Sequence, residues 1–194
     1  MHANSILVVG VGGHSKVVSE IIRQNQQWEI AAYIDEGSSL CNFLGRQVIT
    51  TLNEAREYFP TTKYAFVAIG SNEARKKWHA LLQKNDYNIP SFIHPTAWVS
   101  DSALIEDGVL VCAKAIVGAS CFVGEGTILN CSSVLDHDSQ VGTFSHISPG
   151  TIVCGGGRIG SNSLIGPGSV IEKLAYVPDN TLLAPMTVIA TTRQ

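Results

Sequence analysis

The sequence has few charged residues, no run of basic residues and no long apolar segment. Only 15% of its 194 residues are charged and the net charge is −3, which argues against nucleic acid or an anionic membrane surface as a partner. The early apolar stretch, residues 6–9, is too short for a secretory signal or a membrane span. With 45% hydrophobic residues, the chain can nevertheless build a substantial core.

The cysteines show no pairing pattern. There are five, an odd number, with no CxxC motif and none adjacent to a histidine. Such a pattern is typical of thiols that stay reduced, so we predict a cytoplasmic protein without a cysteine nucleophile.

The second half of the chain has an unbroken period of six. From Ile93 to Ile189, over seventeen hexads, every sixth residue is Ile, Leu or Val, and a register of small residues runs from Ala97 to Thr187. A helix has period 3.6 and a strand period 2, whereas a strict six is typical of a parallel β-helix, in which each hexad is a short strand plus a corner. We therefore expect one bulky and one small side chain per hexad to point into the interior, with each coil stacked on the next.

Residues 1–88 instead alternate between strand and helix patterns, which predicts a parallel sheet with right-handed crossovers. Strands are predicted over 6–9, 30–34 and 64–69, and helices from Ser15, over 52–59 and from about 72 to 84. The first helix has a predicted apolar side of Val17, Val18, Ile21 and Ile22. The chain is thus divided into a Rossmann-like α/β domain, residues 1–88, and a β-helix domain, residues 89–194.

Glycines of the hexads carry two further expectations. We predict positive φ angles at corner glycines, where tight bends favour glycine; these are Gly118, Gly124, Gly142, Gly160 and Gly166. Residues 154–157, Cys-Gly-Gly-Gly, leave one hexad nearly bare of side chains. This strip admits either close approach of a ligand or crowded packing, and the sequence favours neither.

One polar segment interrupts the inert β-helix wall. His137 stands between Asp136 and Asp138, and a carboxylate that accepts an imidazole N–H fixes the tautomer and raises the basicity of the other nitrogen. Such a neutral histidine is a competent general base near pH 7. The alternative is a surface histidine with solvated neighbours, but the hexad fold and a second histidine, His146, favour catalysis.

Coil geometry restricts how these histidines can meet. When three hexads close a coil, residues 18 apart stack and residues nine apart lie on opposite sides, so His137 and His146 of one chain should be well over ~10 Å apart. If both serve one site, they come from neighbouring subunits of a cyclic trimer. A zinc site of His94, His137 and His146 is a poorer interpretation because their spacings are not multiples of 18, and we predict no metal.

A glycine turn, residues 10–14, joins the first strand to the first helix, the context in which a helix N-terminus binds phosphate. Asp35 ends the next strand, where a ribose or uracil partner would lie. Ser15 replaces the third glycine of the dinucleotide fingerprint, which favours a shorter nucleotide over NAD and argues against a nicotinamide dehydrogenase. The alternative is a tight strand–helix junction without a ligand.

Six segments together resemble a known group. They are Gly12-Gly13-His14, residues 68–72 (AIGSN), 93–95 (IHP), 129–134 (LNCSSV), 137–138 (HD) and 144–148 (FSHIS). With them the chain resembles bacterial sugar acyltransferases of the sialic acid O-acetyltransferase type, and within these the UDP-4-amino-sugar N-acetyltransferases. The resemblance implies a left-handed β-helix and a homotrimer with acetyl-CoA in the cleft between β-helices.

The resemblance also implies roles for individual residues. His137 would be the general base, with Asp138 and Asp136 raising its basicity, and His146 would lie near the thioester. The backbone at Pro167 and Pro185 would line the coenzyme groove. The sugar-nucleotide pocket would include Gly12, Gly13, His14, Asp35, Glu36 and Gly70. From the bare hexad we add the backbone N–H groups near Gly155, which are candidates for stabilising the tetrahedral oxyanion that forms when the thioester of acetyl-CoA is attacked.

The predicted function is acetyl-CoA-dependent N-acetylation of a UDP-linked 4-amino-4,6-dideoxy sugar by direct transfer. One alternative is O-acetylation of sialic acid or a related sugar. An acidic sugar needs a basic residue in the cleft, and Lys114 and Arg158 are the only ones between residues 98 and 164. The other alternative is a non-catalytic sugar-nucleotide-binding β-helix protein, against which the acids beside His137 argue.

Overall fold

The chain folds into two compact units that meet in sequence between Pro90 and Ser91. The structure, a computed structural model, describes residues 3–191. We describe each unit by itself.

The first unit is an α/β sandwich around a five-stranded sheet. Its strands are β1 (Asn4–Val9), β2 (Trp28–Ile34), β3 (Asn42–Phe43), β4 (Arg46–Ile49) and β5 (Tyr64–Val67), and its helices are α1 (Gly13–Gln24), α2 (Leu52–Tyr58) and α3 (Asn72–Lys84). The sheet order is β3-β4-β2-β1-β5, parallel except for the β3–β4 pair. Strand β1 therefore lies where the order reverses, the place at which open α/β sheets bind ligands.

Two local expectations for this unit were wrong. The antiparallel β3–β4 pair was not predicted from the sequence. Val17 is exposed, whereas Val18, Ile21 and Ile22 are buried as predicted, and Ser15 and Ser19 share their buried side of α1. The two serines are acceptable there because their hydroxyls are satisfied: Ser15 Oγ donates to the Gly10 carbonyl at 2.7 Å, and Ser19 Oγ lies 2.7 Å from the Tyr33 hydroxyl.

The second unit is the predicted parallel β-helix. Its two-residue strands are β6 (Phe92–Ile93), β7 (Trp98–Val99), β8 (Leu104–Ile105), β9 (Leu110–Val111), β10 (Ile116–Val117), β11 (Phe122–Val123), β12 (Ile128–Leu129), β13 (Val134–Leu135), β14 (Gln140–Val141), β15 (His146–Ile147), β16 (Ile152–Val153), β17 (Arg158–Ile159), β18 (Leu164–Ile165), β19 (Val170–Ile171), β20 (Tyr176–Val177), β21 (Leu182–Leu183) and β22 (Val188–Ile189). They form three parallel sheets, β7 to β22, β8 to β20 and β6 to β21, each taking every third strand. Residues 18 apart are therefore neighbours in adjacent coils.

The hexad positions build the interior as expected, except at the ends. From Val111 to Val177 each of these aliphatic side chains is buried. Near the ends Val99 and Ile189 are only partly buried, and Ile93 remains 45% exposed. A terminal coil has a neighbour on one side only, so its side chains cannot be enclosed.

The register of small residues is largely buried too, and most of its hydroxyls have hydrogen-bond partners; the hydroxyl of Ser133 is buried without one within residues 3–191. Thr127, Ser139, Ser145, Thr151, Ser163 and Ser169 each donate to a carbonyl fifteen residues later, in the next coil. Because a buried hydroxyl without a partner is costly, this ladder explains how Ser and Thr replace Ala inside the β-helix.

The corner prediction was wrong in its positions. Positive φ angles of 54° to 68° recur at every sixth residue from Gly108 to Met186. None of the five predicted glycines is at one of these positions. Those five lie against the next coil: a Cβ on Gly118 would be 2.8 Å from the Leu135 carbonyl oxygen, and one on Gly124 would be 2.7 Å from the Thr143 nitrogen. Close coil stacking, rather than backbone conformation, accounts for these glycines.

Candidate active site

The polar segment of the β-helix forms a single corner after β13. Nδ1 of His137 lies 2.7 Å from Oδ2 of Asp138, and the backbone N–H of His137 donates to Oδ1 of Asp136 at 2.8 Å. Asp138 has a φ of 61°, a left-handed conformation that Asp tolerates better than most residues. The corner therefore aims one carboxylate at the imidazole and ties the other to the backbone.

The electrostatics of this corner favour a basic imidazole. The pKa of His137 is raised, chiefly by the hydrogen bond to Asp138 and next by the charge of Asp136, whose Oδ2 lies 4.0 Å from Nε2. If Nδ1–H donates to Asp138, the lone pair is on Nε2. The side chain of His137 is 57% exposed, so a reactant can approach the imidazole.

Gly155 lies directly beside the imidazole, one coil further along. A Cβ on Gly155 would be 2.7 Å from Nε2 and 2.8 Å from Cε1 of His137, so the ring occupies the space that any side chain would fill. Gly156 is similarly covered: a Cβ on Gly156 would be 2.6 Å from Cδ2 of Leu174. Of the two interpretations of the bare hexad, crowded packing is what the structure supports, and its packing partner is the histidine.

His146 occupies another sheet. It lies on β15 between Ile128 and Leu164 of the adjacent coils, and its Nε2 is 3.1 Å from Nδ2 of Asn130. His137 follows β13, which belongs to a different sheet. Within one chain the structure thus places the two histidines on separate sides of the β-helix.

Pro167 and Pro185 share a groove on the C-terminal coils. The groove has a volume of about 410 Å³ and is lined by Ser148, Leu164, Gly166, Pro167, Leu182, Leu183, Ala184 and Pro185. Its walls are mostly apolar. The groove lies on the same sheet as His146, because His146, Leu164 and Leu182 are successive neighbours in that sheet. Gly155 is not part of this groove.

A second cavity, of about 180 Å³, lies at the carboxyl ends of β1, β2 and β5. Its lining is Val9, Gly10, Ile34, Asp35, Glu36, Gly37, Ile69 and Trp78. Of the predicted nucleotide residues it includes Asp35 and Glu36. Gly12, Gly13, His14 and Gly70 lie outside its lining, although no atom stands within 4 Å of where a Cβ on the three glycines would be. The N-terminus of α1 is therefore sterically open.

Buried basic groups lie behind this open terminus. Arg75 is buried and donates to the carbonyls of Ile69 and Gly70 at 3.1 and 3.0 Å. Burial, and then the charge of Arg75, lower the pKa of both His14 and His79 to about 4. His14 is therefore neutral at physiological pH.

Three residues with a clear place in these sites were missed in the sequence. Trp78 and Arg75 belong to α3, whose only sequence signal was helical periodicity, and Asn130 meets His146 from the preceding coil. The 18-residue coil repeat could have identified the pairing of His137 with Gly155. No group of three or more His, Cys, Asp or Glu residues that could hold a metal occurs within residues 3–191, and no helix in that range has the length and apolarity to cross a membrane.

Comparison with known proteins places the first unit in a family. Residues 5–82 match the family described as the PglD N-terminal domain. Over 114 residues the chain is 31% identical to the UDP-N-acetylbacillosamine N-acetyltransferase of Bacillus subtilis (strain 168). That match covers 56% of this chain and 51% of the relative, so it spans about half the length of the curated protein.

Solved structures match nearly the whole chain. The acetyltransferase domain of PglB from Neisseria gonorrhoeae FA1090, in complex with acetyl coenzyme A, is 32% identical with a TM-score of 0.89, covering 97% of this chain and 93% of that one. A mutant of perosamine N-acetyltransferase from Caulobacter crescentus, in complex with CoA and GDP-perosamine, is 28% identical with a TM-score of 0.75 and coverages of 96% and 91%. The chain therefore belongs to the sialic acid O-acetyltransferase and UDP-4-amino-sugar N-acetyltransferase family, an α/β domain followed by a left-handed β-helix.

Proposed function

We propose that this protein is an acetyl-CoA-dependent N-acetyltransferase that acts on the amine of a UDP-linked 4-amino-4,6-dideoxy sugar. The observation that carries the proposal is the corner at His137: an accessible imidazole, held by Asp138 at 2.7 Å and seated on Gly155. Relatives named for N-acetylation of bacillosamine and perosamine nucleotides support the same chemistry. A cytoplasmic location remains a prediction.

The reaction is a direct transfer. The sugar amine attacks the thioester carbonyl carbon, forming a C–N bond; the amine nitrogen loses its proton to Nε2 of His137; the C–S bond then breaks and the CoA thiolate leaves. An unprotonated amine is already nucleophilic, so no acyl-enzyme is needed. Asp138 holds the tautomer and stabilises the imidazolium, and Asp136, with Oδ2 at 4.0 Å from Nε2, adds negative charge. A backbone N–H at Gly155 remains a candidate for stabilising the oxyanion.

Acetyl-CoA would lie along the apolar groove that contains Pro167 and Pro185, with His146 near the thioester. The groove is lined largely by carbon, which suits a pantetheine chain better than a charged group. Asn130 orients the His146 ring. The nucleotide of the sugar would bind the α/β unit, its diphosphate at Gly12, Gly13 and His14 beside Gly70, and its nucleoside at Asp35 and Glu36.

The enzyme would be a homotrimer with active sites between subunits. Support comes from the β7–β22 sheet, whose outward positions are all apolar: Trp98, Ile116, Val134, Ile152, Val170 and Val188. Of these, Trp98 is 57% and Val188 59% exposed in the isolated chain. A continuous apolar face of this kind indicates a protein contact. Ile116→Lys with Ile152→Lys should lower the mass measured by light scattering to that of a monomer, and Gln140→Lys on another sheet should not.

A turnover assay tests the function. CoA release from acetyl-CoA is measured with UDP-4-amino sugars, GDP-perosamine and sialic acids as acceptors, and the product is identified by mass spectrometry. We expect N-acetylation of a UDP-4-amino sugar. If every amino sugar is inert while sialic acid turns over, the protein is the O-acetyltransferase; if no acceptor releases CoA, the non-catalytic alternative holds.

A further inference from the structure

The cavity of the α/β unit has one aromatic wall. Among the described residues that line it, Trp78 is the only aromatic side chain, and it comes from the middle of α3, whereas the other seven follow or end β1, β2 and β5. Val9, Ile34 and Ile69 make its remaining apolar surface. This cavity, called the slot below, is thus lined by one indole, three aliphatic side chains, two acidic residues and two glycines.

The size and lining of this slot suit a flat group. Its volume of about 180 Å³ is below the roughly 300 Å³ at which pockets begin to enclose a whole small ligand. A nucleobase is planar, and stacking on an aromatic side chain accepts any base because each has a π-face. The slot therefore fits the base of a nucleotide whose phosphates lie outside it.

The two acidic residues that line the slot are not equivalent. Both carboxylate oxygens of Asp35 are engaged by the protein: Oδ2 accepts the Val11 N–H and Oδ1 accepts the Gly37 N–H, each at 3.2 Å. Asp35 thereby joins the turn after β1 to the turn after β2. Within residues 3–191 no hydrogen bond or ion pair engages the Glu36 carboxylate, which is exposed. Glu36 is the carboxylate that remains available to a ligand hydroxyl.

We propose that Trp78 stacks on the nucleobase of the substrate, that Glu36 accepts hydrogen bonds from its ribose hydroxyls, and that Asp35 is a positioning residue for the loop. This assignment rests on the proposed function, in that it takes the substrate to be a nucleotide sugar. The sequence assigned both Asp35 and Glu36 to the nucleotide pocket, whereas this proposal gives the ligand contact to Glu36 alone. It adds Trp78 as a side chain that determines affinity for the nucleotide.

Fluorescence tests the stacking directly, because the chain has only three tryptophans. Trp28→Phe with Trp98→Phe leaves Trp78 as the sole tryptophan. Titration of this variant with UDP should quench its emission in a saturable way, and GDP should do the same, since stacking tolerates either base. Pyrophosphate, which lacks a base, should leave the emission unchanged. Equal quenching by pyrophosphate, or none by UDP, would overturn the proposal.

Substitutions test the energetic role. Trp78→Ala should raise the Kd for UDP about 10- to 100-fold, and Trp78→Phe should raise it only a few-fold because a ring remains. Glu36→Gln should weaken UDP binding several-fold, whereas Asp35→Asn should also lower the melting temperature. The matched control is Trp28→Phe: Trp28 packs edge-to-face on Tyr64 at the opposite end of β2 and should bind UDP normally.

Turnover separates this inference from the proposed function. In Trp78→Ala the KM for the nucleotide sugar should rise while kcat and the KM for acetyl-CoA stay unchanged. An unchanged KM for the nucleotide sugar means that the inference is wrong and the function stands. If UDP quenches Trp78 but no amino sugar is acetylated, the inference stands and the proposed function is wrong.

Discussion

The β-helix repeats one six-residue design through all of its coils, whereas the α/β unit uses each of its segments once. In the repeating unit a departure from the pattern is conspicuous, and Asp136, His137 and Asp138 form the polar corner at which we propose the chemistry. In the other unit the cavity takes residues from three strand ends and one helix, from Val9 to Trp78, with no shared spacing. A periodic scaffold lets positions be counted, but an aperiodic one has to be seen in three dimensions.

The two interiors differ in the same way. Inside the β-helix the buried side chains are mainly aliphatic residues, small residues and hydrogen-bonded hydroxyls, and its candidate base is exposed. The α/β unit buries Arg75 and His79. A change of pH should therefore alter the activity that depends on His137 in the β-helix, whereas in the α/β unit it should alter the free energy of unfolding.

Removing the proposed base, His137, should have the largest effect on activity, and this effect should be confined to the β-helix. His137→Ala should lower kcat by about 10²- to 10⁴-fold, the contribution of a positioned general base. Binding of UDP to the α/β unit and of acetyl-CoA should persist in calorimetry. Near-normal turnover would exclude His137 as the base.

Acid should separate the units by stability. His79 and His14 have a pKa of about 4 in the folded protein, against about 6.5 when unfolded, so the unfolded chain binds more protons between these values and stability falls as pH falls from 6.5 towards 4. For the buried His79 the unfolding equilibrium should shift at most roughly 300-fold, the limit set by the difference between these two pKa values. Hydrogen exchange at pH 7 and pH 5 should show lost protection in α1 to α3 only. His79→Gln should reduce that loss; equal loss in both units would contradict it.

Adding one methyl group at Gly155 should displace the imidazole ring of His137 from its position in the corner. Gly155→Ala places a Cβ 2.7 Å from Nε2 of His137, so the ring must move, and we expect kcat to fall about 10- to 100-fold with the melting temperature little changed. Cys154→Ala, one residue earlier on the same coil, adds no atom and is the control. A Gly155→Ala enzyme with normal kcat would show that the imidazole position is not critical.

Changing the partner of the imidazole should give the smallest change in rate and a clear change in pH dependence. Because Asp138 raises the pKa of His137, activity should fall as pH drops through that raised value. Asp138→Asn should move this acid limb to lower pH, towards 6.5, and reduce kcat about tenfold. Asp136→Asn should shift it less. An unmoved acid limb would show that another group titrates.

Much of the fold could be predicted because it follows from spacing. The period of six predicted the β-helix and its buried register, and helix α3 was placed at its observed residues. The φ angles could not be assigned in this way, because a glycine can be required either for a left-handed backbone conformation or for close contact with a neighbouring coil. Gly118 is required for close contact with the next coil. On α1 the sequence predicted the burial of Val18, Ile21 and Ile22 but not that of Ser15 and Ser19, because hydrophobicity does not reveal the hydrogen bonds of these serines.

By itself the sequence determined the β-helix, the family resemblance and the polar corner at His137, because a local repeat fixes which residues stack and a motif keeps its residues adjacent. Only the tertiary structure decided that Gly155 makes room for the imidazole, that Asp35 is engaged by two backbone N–H groups, and that Trp78 lines the cavity. These are matters of distance between atoms far apart in the chain, and the packing of coils, strands and helices sets them.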